Sequence, residues 1–294
     1  MFVDAIEKTS RYTRPVHSIM RTYGGKKIIP GAATLFFVNE EGYAVTCKHV
    51  AELLAKSEAI NTHYNNFRNE LNKLPKDGKF KMHLKGLELK YKYTAETIIQ
   101  IKNSFVDCVS PLSGFSWFNH PDFDLSIIKF NDYTNRHYTD FAIFKKDITA
   151  IKQGEFLCRL GYPFPEFTNF IYNETTDDIE WTATGNNGSP RFPIEGMVTR
   201  FLMEKNGLYG IELSTPGLKG QSGGPLFDKQ GIVCGMQFST KHLHLGFDLV
   251  DKEIFIDNKS KKVTDYSFIH LGQCIDAAVI KKFLTDNQVK FYEE

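Results

Sequence analysis

The feature that most constrains this chain is a succession of short runs rich in β-branched and aromatic residues, each closed by turn residues. Ala32-Ala-Thr-Leu-Phe-Phe-Val, Tyr43-Ala-Val-Thr-Cys, Asp124-Leu-Ser-Ile-Ile-Lys-Phe and Glu155-Phe-Leu-Cys-Arg-Leu-Gly set the pattern. Further runs follow near Gly196, Leu208, Gly231 and Ser267. Asn39-Glu-Glu-Gly42 supplies turn chemistry between the first two, which predicts a hairpin over 32–47. Helical spacing of apolar residues is clear only at Asp276-Ala-Ala-Val-Ile-Lys-Lys-Phe-Leu, near the end, with one or two turns expected after His49. An all-β sandwich or barrel is expected, with almost no long helix. Residues 1–30 read as an N-terminal arm, because Arg14-Pro15 and Gly24-Gly25 interrupt any period. Residues 58–115, rich in Asn, Lys and Tyr, read as irregular structure with two or three strands, inserted at the surface.

Composition excludes several function classes. With 41% hydrophobic residues the chain has enough apolar surface to offset the entropy of ordering, so disorder is excluded. Lys plus Arg (36) nearly cancels Asp plus Glu (35), which leaves no electrostatic footprint for nucleic acid or an anionic membrane. Asp4 and Glu7 interrupt what would be the apolar stretch of a secretory signal, and no window offers the roughly 18–20 apolar residues of a membrane span. Five cysteines, with no Cys-x-x-Cys pair, predict reduced, buried thiols in place of a disulfide framework or zinc ribbon. A cytoplasmic protein without nucleic-acid or membrane partners is expected.

The segment that carries chemistry is Gly217-Leu-Lys-Gly220-Gln221-Ser222-Gly223-Gly224-Pro225. Glycines around a serine let the backbone bend so that the hydroxyl projects, and the N–H groups of Gly220 and Ser222 can converge as an oxyanion hole. A bare Ser-Gly-Gly is also an ordinary hairpin turn. Serine needs a base, usually a histidine oriented by a carboxylate. His49 stands just past a strand, and Asp124 stands at the mouth of an apolar one. Gly220-Gln-Ser222-Gly-Gly224 fits the G-x-S-x-G pattern too, with Asp248 or Asp251 and then His270 downstream, but that fold needs a helix at once after the serine. Pro225-Leu-Phe-Asp reads as turn and strand instead. His242-Leu-His244 lacks a third ligand at familiar spacing and reads as a solvated strand, so neither metal nor cofactor is expected. Asp122 reads as a surface or capping residue.

Four segments in the order His, Asp, Ser give the chain its resemblance. They are Gly42-Tyr-Ala-Val-Thr-Cys-Lys-His49-Val, Asp124-Leu-Ser-Ile-Ile-Lys, Leu160-Gly-Tyr-Pro and Gly220-Gln-Ser222-Gly-Gly-Pro-Leu. Over roughly Ala32 to Leu271 it resembles the trypsin-like (chymotrypsin-fold) serine peptidases, especially the bacterial branch that includes the Deg/HtrA proteases, here without their appended peptide-binding (PDZ) module. The resemblance implies two six-stranded antiparallel β-barrels, over 31–145 (with the insertion) and 146–294 (with a terminal helix). It also implies His49 as general base, Asp124 as its orienting carboxylate, Ser222 as nucleophile, and a protein or peptide substrate. Gln221 replaces the aspartate that secreted digestive relatives carry before the serine, which argues against activation by N-terminal clipping. The pocket for the residue before the scissile bond is expected from Pro216, Leu218, Gln237, Phe238 and Ser239. Pro216, six before the serine, replaces the acid of Arg/Lys-selective relatives, so a small or apolar residue is expected there. Residues 58–115 and the N-terminal arm are the segments through which a regulatory protein partner would act. The rival within the same fold is a catalytically silent scaffold serving as a protein-binding module.

Overall fold

A computed structural model describes residues 1–204 and 207–294. Six strands form the first sheet: β1 (Thr13–Thr22), β2 (Ile28–Phe37), β3 (Tyr43–Thr46), β4 (Ile98–Phe105), β5 (Gly114–Asn119) and β6 (Ser126–Asn131). Their order is β4-β1-β2-β3-β6-β5, antiparallel throughout, and the sheet curls into a half-barrel. The second sheet contains β7 (Phe156–Gly161), β8 (Phe192–Glu204), β9 (Gly207–Leu213), β10 (Pro225–Phe227), β11 (Val233–His244) and β12 (Phe268–Asp276). These close into a ring, β7-β8-β9-β12-β11-β10, because β10 pairs with both β7 and β11. The architecture is the expected chymotrypsin-like one. One apolar core runs through both halves, from Val16, Leu35 and Ile127 to Leu157, Leu226 and Ile275.

Two stretches depart from expectation. The first part of the insertion is helical: α2 (Lys48–Leu71) runs 24 residues in place of one or two turns and α3 (Phe80–Tyr91) another 12, and the strands expected there come only from Ile98 on. Polar residues outnumber the buried ones in α2, yet Val50, Leu54, Ser57, Tyr64 and Phe67 recur at three- and four-residue steps or their sums. In α3 the lysines between apolar residues likewise hide a buried face. Leu84, Leu87 and Tyr91 form one helical face, packed with Tyr64, Phe67 and Ile99 in a satellite cluster. After a short helix, α1 (Val3–Ser10), residues 13–22, read as part of an arm, form β1 between β2 and β4.

Polar residues hid that strand. His17 is 1% exposed and stacks on Phe167 with centroids 4.0 Å apart, its Nε2 2.9 Å from Ser189 Oγ. Arg21 is buried and paired with Asp177 (2.8 Å) and Gln100 (2.7 Å). Burial pushes the His17 pKa from 6.5 down to about 4. The unfolded chain therefore takes up a proton that the folded chain refuses, and stability falls by about 3 kcal/mol as pH drops from 6.5 toward 4.

Asp276 has the opposite sign. It caps α4 (Ala277–Asp286) through Ala278 N–H at 2.6 Å, but its second oxygen is buried without a partner. Burial raises its pKa from 3.8 to about 6, so protonation relieves a cost as pH falls through 6. The two trends oppose each other. Asp276→Asn is expected to lose about 2 kcal/mol more than the parent between pH 7 and pH 4.5, measured by urea denaturation at both values.

Candidate active site

His49 sits in the first turn of α2, directly after β3. A helix N-terminus leaves its first N–H groups without partners, and here Asp124 supplies one. Asp124 Oδ1 accepts the His49 backbone N–H at 2.9 Å, and Oδ2 lies 2.7 Å from His49 Nδ1. The same carboxylate thus tethers the helix and orients the ring. Burial pushes the Asp124 carboxyl up, but hydrogen bonds from the His49 side chain and backbone outweigh it and hold the pKa below the ordinary value. Asp124 stays ionised at neutral pH, and its contribution to stability is lost only as pH falls below the usual carboxylate range. Lys48 donates to the His120 carbonyl at 3.1 Å. Asp122 is exposed and does not compete for His49.

Ser222 lies in a turn that the two halves build together. Gly220 (φ +94°) and Gly223 (φ +86°) take up the left-handed region that favours glycine. Within the turn, Gln221 N–H donates to Leu218 O (3.0 Å), Gly223 N–H to Gln237 O (2.9 Å) and Gly224 N–H to Gln221 O (2.8 Å). Among the described residues, the Gly220 and Ser222 N–H groups form no hydrogen bond. A trans peptide points its C=O and N–H in opposite directions, so anchoring the Gln221 carbonyl on Gly224 turns the Ser222 N–H the other way. The strand β10 follows, not a helix, which removes the G-x-S-x-G alternative. His270 Nδ1 lies 2.5 Å from His242 Nδ1, and His244 pairs with Asp248 at 2.7 Å, away from the serine.

Thr34, which the sequence did not single out, and Gln221 hold this turn. Thr34 on β2 donates its hydroxyl to Gly220 O (2.7 Å), accepts from Tyr162 N–H (3.2 Å), and its own N–H donates to Ser222 O (3.0 Å). Gln221, fully buried, accepts from Leu218 N–H at 3.1 Å and donates to Phe192 O at 3.2 Å. A neutral amide therefore braces the turn where digestive relatives use an ion pair. Nothing in the local sequence marks Thr34; for Gln221 the signal was its place beside the serine.

His49, Gly220 and Ser222 line one cavity of about 240 Å³. Ser222 Oγ makes no hydrogen bond among the described residues, with His49 or any other group. None of the five residues expected to form the specificity pocket lines that cavity. Pro216, Leu218, Phe238 and Ser239 are half-buried, and Gln237 is 2% exposed. Behind them Arg159, with no exposed surface, donates to Gln237 Oε1 (2.7 Å) and to the Thr215 hydroxyl (2.6 Å) and carbonyl (3.1 Å).

Cys47, His49 and Asp124 offer ligand atoms within 4.8 Å of one another. Burial holds the Cys47 thiol well above its usual pKa, it donates to Gln237 O at 3.3 Å, and the imidazole and carboxylate satisfy each other. An ion there would have to break all three arrangements. All five cysteines are unpaired and buried. Among the described residues no helix is long and apolar enough to cross a membrane.

A half-barrel and a ring sheet, with a glycine-bracketed serine and a carboxylate-paired histidine lining one cavity, define a peptidase-like class of protein. A profile of the trypsin-like peptidase domain matches residues 33–236, well over half the chain, and the chain belongs to that family of serine peptidases. Among solved structures it is similar to the HtrA-type protease AlgW with a decapeptide (13% identity, TM-score 0.49, 97% of this chain and 66% of that one). The same protease with a tripeptide gives 13% identity, TM-score 0.45 and coverage of 97% and 62%. The Rv3671c protease from M. tuberculosis, active form, gives 12%, 0.46, and 98% and 86%. The chain thus spans 62–66% of the length of these HtrA-type chains. No curated protein matches it in sequence.

Proposed function

We propose that this protein is a serine endopeptidase working through an acyl-enzyme. Ser222 Oγ attacks the peptide carbonyl while His49 takes its proton. Asp124 fixes the tautomer of His49 and stabilises the imidazolium, and the Gly220 and Ser222 N–H groups receive the oxyanion. His49 then protonates the leaving amine, and water repeats the sequence to release the acyl group.

The observation that carries this reading is the pairing of free groups. Among the described residues, both N–H groups that the chemistry requires are without partners, beside a serine sharing a cavity with an oriented imidazole. Labelling with a fluorophosphonate tests it: one adduct is expected, on Ser222, and it should vanish in Ser222→Ala. Asp124→Asn is expected to lower kcat by about 10⁴-fold, because an amide can hold the imidazole in the wrong tautomer. Steady-state hydrolysis of a casein-derived peptide measures that loss.

The silent scaffold is favoured by one observation, the absence of a Ser222–His49 hydrogen bond. Catalytic hydrogen bonds in ligand-free sites are often long and tighten when substrate arrives. Folded protein that resists the fluorophosphonate would decide for the scaffold.

A further inference from the structure

The two sides of the proposed nucleophile differ. On the side of the expected specificity pocket, the protein's own groups fill the space. Gln237 packs against the side-chainless face of Gly217, which could not carry a Cβ without striking its amide. The Gln237 orientation is fixed at both ends, by Arg159 on Oε1 and by donation from Nε2 to Ser239 O at 2.5 Å. Thr240 Oγ1 then donates to Gly217 O at 2.8 Å, which ties the two walls together. Arg159 holds the far wall through Thr215. A substrate side chain entering here meets walls already joined and a floor where, of the Arg159 and Gln237 side-chain groups, only Arg159 Nε lacks a hydrogen-bond partner.

The open space is on the other side. The cavity of about 240 Å³ that reaches Ser222 and His49 is walled by Val50, Leu53 and Leu54 of α2 and by Met20, Ala32 and Ala33 of β1 and β2. Apart from His49, the one charged side chain around it is Lys219, which is exposed at the rim. Chemistry says which part of a substrate belongs there. His49 must protonate the leaving amine, so the residue carrying that amine lies on the imidazole side, beside the helix that bears His49. Val50 follows His49 directly, and Leu53 and Leu54 lie one turn further on.

We propose that the enzyme chooses its cleavage sites chiefly by an apolar residue just after the scissile bond, seated between α2 and the β1–β2 pair, and accepts only a small residue before it. This rests on the peptidase reading above. The cavity is smaller than the several hundred Å³ of typical small-molecule sites and suits one Leu-, Met- or Phe-sized side chain. Shape and polarity therefore do the selecting, as they do in other apolar pockets, where one methylene separates substrates by roughly 10- to 200-fold.

The test uses peptides that differ only at the residue after an Ala: Leu, Gly, Asp or Lys. Binding to Ser222→Ala, by fluorescence anisotropy, needs no turnover. Leu is expected to bind at least about tenfold tighter than Gly or Asp. Cleavage by the parent should follow the same order. Leu53→Glu, at a half-buried site, should move the preference toward Lys in both assays. Equal binding of the four peptides, or a Leu53→Glu preference unchanged from the parent, overturns the proposal. Failure of the underlying chemistry looks different: the parent would take up no fluorophosphonate and cleave nothing, while the binding order would still decide where the side chain sits.

Discussion

Ser222→Ala is expected to cut kcat by a factor on the order of 10⁴ to 10⁶ while the protein stays folded. The hydroxyl is the only group removed. It makes no hydrogen bond among the described residues, and Ser222 contributes its carbonyl to Thr34 N–H and its own N–H to the open side of the turn through the backbone. Alanine keeps both. The expected result is thus a thermal midpoint within a few degrees of the parent, with hydrolysis and fluorophosphonate labelling lost together. His49→Ala should lose hydrolysis to a similar degree. Combining the two should cost little more than either alone, because nucleophile and base act as a unit. A Ser222→Ala protein with parental turnover would end the serine-peptidase assignment.

Gly223→Ala should have the largest effect on stability. Gly223 holds φ +86°, where a Cβ is strained, and that Cβ would overlap the Thr34 carbonyl oxygen and crowd Thr46 Oγ1. The carbonyl cannot retreat freely, because it accepts the Thr46 hydroxyl at 2.7 Å and its strand is pinned by Thr34 N–H to Ser222 O. The strain and the clash together are expected to cost at least about 3 kcal/mol, read as a lower urea midpoint. Since the same contacts set the Gly220 and Ser222 N–H groups, kcat should fall too in whatever fraction remains folded. A Gly223→Ala protein as stable as the parent would show that the turn is not locked against β2.

The contrast between these residues and the insertion shows where sequence reasoning works. His49 and Asp124 were singled out because each stands at the end of a short apolar run, and Ser222 because glycines that must bend mark its turn. The strands of the second barrel were legible for the same reason, as β-rich runs between turn residues. The helix α2 was not, because only one face is buried and its polar residues dominate any window. Strand β1 was hidden by His17, Ser18 and Arg21, polar side chains whose partners, Ser189, Asn103 and Asp177, lie 172, 85 and 156 residues away.

By itself the sequence determined the mostly β class and the family resemblance and singled out three residues for acyl transfer, because those depend on local patterns of polarity and on residue chemistry. The tertiary structure alone decided that Asp124 also tethers α2, that Thr34 and Gln221 hold the turn at Ser222, and that the cavity reaching Ser222 lies on the His49 side, with Gln237 and Arg159 buried on the other. Those facts are made of contacts between distant segments, and a hydrogen bond across the fold leaves no periodicity in the chain that makes it.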